Sequence, residues 1–399
     1  MNKKLIIPIA IVAVLAVVIM LNTCGGRSHK IHLTTSEASA SPRPEAPDSV
    51  ALHVYVENSG SMDGYMIPGS RLKDAVYDYV SDLKRKTESV SLNYINSQVI
   101  PFSGSLEGYI RNLTPDSFRK AGGDRSNTDL RQILREILRR TGKNDLSVFV
   151  SDCILDISKA SARDYFGNTQ VSVKNSFRDA LRSNPNLGVE ILKLRSNFEG
   201  WWYSGSNKEH LSDVERPYYI WVIGDRSLLA ELGRTVPAEE ILGGIAGYAA
   251  FAPSEDFAYV ATQTDFVTNS SGEITVDFLA DLSGSLQEEA VLCSTDSYTA
   301  EDAGQVVLER IQRVKKEGSP YSHVLRTRLL RPETLRGGRI TISYPALPAW
   351  VSSSNDDTGE NVSRNLDKTT GILYLITGVS EAYEGHSDFG SIDFSLTNR

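Results

Sequence analysis

Two rhythms of apolar residues run through positions 50–235 of this chain. Within Arg71–Arg85, Leu72, Val76, Val80 and Leu83 recur every three or four residues, which sets them on one helical face. The stretch 130–142 repeats that spacing with Leu130, Ile133, Leu134, Ile137 and Leu138, and Gly142 supplies a stop. A further helix is predicted near Ser172–Ser183. Between the helices lie short runs, almost wholly apolar or β-branched, at 51–56, 89–95, 97–102, 146–151, 188–194 and 218–223. Apolar strands alternating with amphipathic helices predict an α/β domain over 50–235. Its core would be a doubly wound, mostly parallel sheet with both faces covered. In such sheets ligands bind beyond the carboxyl ends of the strands.

From about Thr235 the rhythm changes. A Gly/Ala-rich segment, 236–253, leads into runs that alternate and carry many Thr and Val, at 258–266, 273–282, 322–330 and 339–345. They predict a second, β-rich domain over 236–399. Residues 304–316 fit helix and strand templates equally. Ile372, Ile376, Val379 and Tyr383 are spaced helically behind a cap at Asp367. No internal repeat is visible.

The chain has 399 residues, 40% hydrophobic and 23% charged, which suits two soluble domains plus a tail. Its net charge is −8, with no Lys/Arg block. A phosphate backbone needs clustered basic residues, so nucleic acid is not an expected partner. The N-terminus adds a membrane. Lys3 and Lys4 precede seventeen uncharged residues, Leu5–Leu21, and Cys24 follows directly. Leu-Asn-Thr-Cys resembles a bacterial lipobox with Cys24 as the lipidated residue, although Thr23 stands where Gly, Ala or Ser is usual. The rival reading is an uncleaved anchor with the two lysines left in the cytoplasm. Either way 1–24 tethers the protein and its body lies outside the cytoplasmic membrane. Residues 25–49, rich in Ser, Ala, Pro and charge, are read as a flexible linker. Three cysteines exclude a disulfide scaffold, and Cys153 reads as a small buried hydrophobe.

Three fragments fall at strand ends or just before a helix: Glu57-Asn-Ser-Gly-Ser-Met, Gly-Gly-Asp-Arg-Ser-Asn-Thr128 and Val-Ser-Asp152. Together they offer Glu57, Ser59, Ser61, Thr128 and Asp152, a set of oxygens only. Mg²⁺, or Mn²⁺ or Ca²⁺ in its place, prefers such a set. Ser-x-Ser lets one tight loop aim two hydroxyls at one point.

This pattern resembles the von Willebrand factor type A domain with its metal-ion-dependent adhesion site: D-x-S-x-S after the first strand, a later Thr, and an Asp ending the fourth strand. Ser59, Ser61, Thr128 and Asp152 match, and Glu57 replaces the first aspartate. The resemblance covers 50–235. It implies a binding protein whose bound ion is completed by an Asp or Glu of a protein partner. The alternatives are a metal-free scaffold that recognises partners through 236–399, and a hydrolase with a metal-activated water. No G-x-S-x-G elbow surrounds Ser59 or Ser61, and no histidine is assignable as base, so no catalytic residue is expected.

Trp201 and Trp202 follow the strand at 188–194 and are candidate partner contacts, or else pack on the protein itself. Arg131, Arg135 and Arg139 read as a solvated helix face, and 352–360 as an exposed turn. The histidines of the body are scattered, so no zinc site is expected.

Overall fold

The structure, a computed structural model, describes residues 28–35, 49–126, 128–157, 162–204, 207–253, 257–316, 318–343, 346–384 and 388–399. Leu5–Leu21, Cys24 and 36–48 lie outside the described residues. Among those described, no helix is long and apolar enough to cross a membrane.

The first strand, β1 (Lys30–Thr35), falls inside the stretch expected to be a linker. The chain then builds β2 (Ala51–Glu57), helix α1 (Arg71–Lys84), β3 (Ser89–Ile95) and β4 (Val99–Phe102). Short helices α2 (Leu106–Arg111) and α3 (Pro115–Ala121) follow, then α4 (Leu130–Arg140) and β5 (Asp145–Ser151). Helix α5 (Ala162–Ser183) leads to two long strands, β6 (Leu187–Ser204) and β7 (Asn207–Asp225). Helix α6 (Arg226–Thr235) and β8 (Gly247–Phe251) complete this part.

These strands form one sheet in the order β4-β3-β2-β5-β7-β6-β8. Alternate residues separate into two cores. Leu52, Val54, Val56, Val148 and Val150 face Leu72, Val76 and Val80 of α1. On the other side Tyr55, Phe149, Tyr219 and Trp221 meet Ile133 and Ile137 of α4 and Phe177 of α5. Period-two alternation against period-3.6 helices is how both faces are buried.

The expected doubly wound, mostly parallel sheet is not what forms. Only β2–β3 and β2–β5 pair parallel; β3–β4, β5–β7, β6–β7 and β6–β8 are antiparallel. The reason is local. Residues 188–194 and 218–223 look like separate strands, but their pairing continues through the polar residues between them, from Leu187↔Asp225 to Ser204↔Asn207. A hairpin makes its strands antiparallel, whereas parallel neighbours need a crossover.

The remaining strands are β9 (Tyr259–Ala261), β10 (Asp265–Val267), β11 (Ile274–Ala280), β12 (Tyr298–Ala300), β13 (Val306–Arg313), β14 (His323–Leu329) and β15 (Gly337–Ser343). Short helices α7 (Glu289–Leu292) and α8 (Ala349–Ser353) stand among them. After the two-residue strands β16 (Asn355–Asp356) and β17 (Thr369–Thr370), α9 (Ile372–Tyr383) leads to β18 (Asp388–Asn398). Residues 306–313, ambiguous in sequence, are strand. Two antiparallel sheets, β10-β1-β18-β15-β12 and β13-β14-β11-β9, share a core that includes Leu33, Phe278, Leu325, Ile340 and Phe394. The boundary expected at 235/236 does not separate the two bodies. β8 is an edge of the seven-stranded sheet, α9 packs in its second core, and β1 sits inside the sandwich.

Candidate metal centre

Parallel pairing of β2 with β5 puts Val56 opposite Val150, so Glu57 and Ser151 end their strands at the same edge of the sheet. Asp152 follows immediately. Behind Glu57 the chain turns through Asn58, Ser59 and Gly60 into a single 3₁₀ turn, Ser61–Tyr65. Glu57 and Asp152 are 3% and 2% exposed, and Ser59 and Ser61 are buried beside them. The Ser59 and Ser61 hydroxyls are 3.0 Å apart. Ser151 donates its hydroxyl to Glu57 Oε2 and accepts from the Cys153 amide at 2.7 Å.

Burial raises the Glu57 carboxyl above its usual range, and the neighbouring Asp152 charge raises it further; the Ser151 and Ser59 hydroxyls pull it part of the way back. Asp152 is also raised, by burial first. The Ser61 hydroxyl and the Ile154 amide oppose that rise, the amide donating to Oδ1 at 3.3 Å. Asp152 Oδ2 has no hydrogen-bond partner. Two adjacent buried carboxylates repel when both are ionised, and a cation between them removes the penalty.

Four of the five expected donors, Glu57, Ser59, Ser61 and Asp152, are therefore together. Thr128 stands on the segment behind Arg125, whose carbonyl accepts from the Gly60 amide at 3.3 Å. Its hydroxyl is shut off from solvent and unpartnered. Buried polar atoms are nearly always satisfied, so the unpartnered Asp152 Oδ2 and Thr128 hydroxyl each call for an explanation. A hard divalent ion fits them, because the donor set is hydroxyl and carboxylate oxygen throughout.

Arg125 escaped the sequence reading. Its Nε donates to Asn58 Oδ1 at 2.7 Å, and Nη2 to the Ser59 carbonyl at 2.9 Å and to Asp63 Oδ1. One guanidinium thus fixes the loop that carries both serines. The only sequence signal was its place behind Gly122 and Gly123, two positive-φ residues that turn the chain towards the loop. Arg216 was also missed. It is buried, donates to the carbonyls of Asn365 and Leu366, and its charge reaches Asp152 as a weaker, opposing influence.

The β6–β7 hairpin lies over the loop from outside. Asn197 accepts from the Arg71 amide at 3.0 Å, and Ser196 Oγ accepts from the Leu72 amide at the same distance. Phe198 packs edge-on against Tyr65, with ring centroids 4.9 Å apart. The tryptophan pair divides by strand alternation. Trp202 points inward and is buried; Trp201 is 46% exposed, edge-on to His210 and under the Lys208 ammonium at 5.1 Å. Tyr203, 42% exposed, lies against Gly60. Cys153 is buried. On α4, Arg131 pairs with Asp129 and Arg139 with Glu136, while Arg135 Nε donates to Ser176 at 3.4 Å. In the stretch expected to be an exposed turn, Asn355 and Asp356 are buried in β16, and the Asp356 carboxylate organises the residues that follow.

No protein-family model matches this chain, and neither curated proteins nor solved structures yield a match.

Proposed function

We propose that this is an extracytoplasmic, membrane-tethered binding protein that recognises an acidic protein partner through a divalent cation held by Glu57, Ser59, Ser61, Thr128 and Asp152. The single observation that carries the reading is the unpartnered Asp152 Oδ2 beside a second buried carboxylate. When bound, Mg²⁺ or a similar ion supplies an open position for an anionic oxygen. Asp152 and Glu57 provide the negative charge, and the serine and threonine hydroxyls provide neutral oxygens. Arg125 keeps the loop closed around them. Trp201 and Tyr203 form an exposed aromatic face beside the loop, where a partner offering a carboxylate would also find rings to pack on. This reading assigns no catalytic residue. It takes the donor set from the type A resemblance and leaves that family's parallel sheet aside.

A second reading has a specific observation in its favour: Glu57 already accepts from Ser151, so a protonated Glu57 could close the site without an ion, leaving a scaffold that recognises partners through 236–399. Calorimetric titration of Mg²⁺, Mn²⁺ and Ca²⁺ into the detergent-solubilised full chain separates the two. The metal reading expects saturable binding at one site, abolished in Asp152→Asn. A folded wild-type protein that takes up no ion, alone or with an acidic peptide present, would sink it and favour the scaffold.

A further inference from the structure

A second donor cluster stands far from the first in sequence, at the foot of the sandwich. Glu289 opens α7, Cys293 caps its C-terminal end, and His323 is the first residue of β14. One carboxylate oxygen, the thiol and one imidazole nitrogen all lie within 4.8 Å of one another. Cys293 Sγ is 3.2 Å from Glu289 Oε1, and His323 Nε2 is 3.5 Å from Glu289 Oε2.

The imidazole is oriented by its other nitrogen. Ser322 Oγ accepts from the Leu282 amide at 2.7 Å and donates to the Ala280 carbonyl at 3.3 Å. The same Oγ is hydrogen-bonded to His323 Nδ1 at 2.8 Å, which fixes the plane of the ring. In the Nδ1–H tautomer the ring donates to Ser322 and Nε2 keeps a lone pair for a cation. His323 is 3% exposed, and Nε2 has no hydrogen-bond partner; at 3.5 Å the Glu289 oxygen is near it but outside bonding geometry. A carboxylate, an imidazole nitrogen and a thiol thus converge. An imidazole held by a hydrogen bond on its far nitrogen is the usual arrangement of a metal ligand.

We propose that Glu289, Cys293 and His323 bind a borderline transition-metal cation of the Zn²⁺ class. Sulfur and imidazole select this class over Mg²⁺ or Ca²⁺. Ligands at the usual Zn–S, Zn–N and Zn–O lengths stand roughly 3.3–3.8 Å apart around a tetrahedral ion. The Glu289 carboxylate reaches both partners, with Oε1 3.2 Å from Cys293 Sγ and Oε2 3.5 Å from His323 Nε2, so a small rotation brings one oxygen into such a set. Binding forms the metal–sulfur bond and releases the Cys293 thiol proton to solvent. Arg313, 4.0 Å from Glu289 Oε2, has a side chain 68% exposed and can turn outward. Three protein ligands leave a fourth position. It opens to a cavity of about 500 Å³ that Glu289 and His323 line together with Tyr79, Glu190 and Tyr248 of the seven-stranded body. The site therefore joins the two bodies at their contact and is accessible to a small ligand.

Co²⁺ serves as the probe. Reduced, chelator-stripped full chain in detergent and excess Mg²⁺ is expected to bind one equivalent at this site, with thiolate-to-cobalt charge-transfer absorption and intense tetrahedral visible bands that Zn²⁺ bleaches and Mg²⁺ leaves alone. Cys293→Ser removes the charge-transfer band. Ser322→Ala weakens binding by about 10- to 100-fold, because the imidazole loses its orienting partner. Glu289 is exposed, so Glu289→Gln tests a ligand without disturbing a core; it is expected to lower affinity and change the visible bands. No thiolate band in a folded protein overturns the proposal. So does a band that survives Cys293→Ser, since the metal would then sit on another cysteine.

Discussion

At the scale of single residues, the first site turns on two carboxyl groups raised by burial. Their folded pKa values lie above the unfolded values, so the folded protein keeps protons that the unfolded chain has released. Their contribution to stability is complete below about pH 4 and is lost as pH rises. In chelator the melting temperature is therefore expected to fall from mildly acidic to mildly alkaline pH. Mg²⁺ at a hundred times its Kd returns about 2.7 kcal/mol; because it must displace the proton that burial holds on Glu57 up to about pH 8, a fixed Mg²⁺ concentration stabilises increasingly as pH rises and little at pH 4. Asp152→Asn flattens the slope and removes the Mg²⁺ effect. Scanning calorimetry across pH checks this, and equal slopes with and without the ion would refute it. Arg125→Met removes the guanidinium bonds that fix Asn58, Ser59 and Asp63. A hydrogen bond involving a charged group contributes about 1.5–3 kcal/mol. Urea unfolding should show at least one such loss, with weaker Mg²⁺ binding in the same variant. The oxygen donors were legible because their spacing is local to three short fragments. Arg125 was not, because its role depends on a backbone turn 60 residues away from the loop it clamps. Nor was the Glu289–Cys293–His323 cluster, whose third member lies 30 residues beyond the second and meets it only in the folded chain.

Among elements, the β6–β7 hairpin explains most of what the sequence withheld. The apolar halves of both strands read correctly as strand. Their outer halves carry Glu199, Lys208, Glu209, Asp213 and Glu215, and this polarity hides the strand signal. An arm that extends past the sheet has one face in solvent, so it needs no continuous apolar run. Once the arm is missed, 188–194 and 218–223 look like neighbours joined by a crossover, and a parallel sheet follows from the wrong premise. The arm's inner face meets the serine loop at Gly64. A Cβ there would lie 2.3 Å from the Phe198 ring, which is itself buried. Gly64→Ala is thus expected to cost about 1–3 kcal/mol through overpacking and to displace the serine loop. Phe198→Leu in the same chain should recover much of that loss. Thermal unfolding of the three variants is the measurement, and a neutral Gly64→Ala would show that the arm can lift away.

The scale of the whole molecule changes what the N-terminal segment does. A linker between anchor and body was expected over 25–49, yet β1 pairs on both sides. Its register runs from Lys30↔Val267 on β10 and from Ile31↔Asn398 on β18. Ile31 and Leu33 are buried in the sandwich core. Only five residues lie between Cys24 and Lys30, six steps with a reach of roughly 20 Å even when fully extended. Under the proposed membrane tether, by lipidated Cys24 or by an uncleaved apolar segment, the sandwich would be the body held near the membrane, and the Glu57–Ser61 loop belongs to the other. The sequence hid this because Lys-Ile-His-Leu-Thr-Thr is a short alternating run amid Ser, Ala and Pro, with its partner strands more than 220 residues away. A chain beginning at residue 50 should consequently lose more than a tail. Its removal leaves β10 and β18 with unpaired edges and opens the space filled by Ile31 and Leu33. Unpaired edges invite association between chains, and truncating one buried Leu or Ile to Ala already costs about 2–5 kcal/mol. The 50–399 chain is expected to melt well below a 28–399 chain and to aggregate on heating, while its α1 and α4 helical signal persists to higher temperature. Paired calorimetry and light scattering on the two chains decide the matter. Equal melting temperatures would return 25–49 to the role of a passive linker.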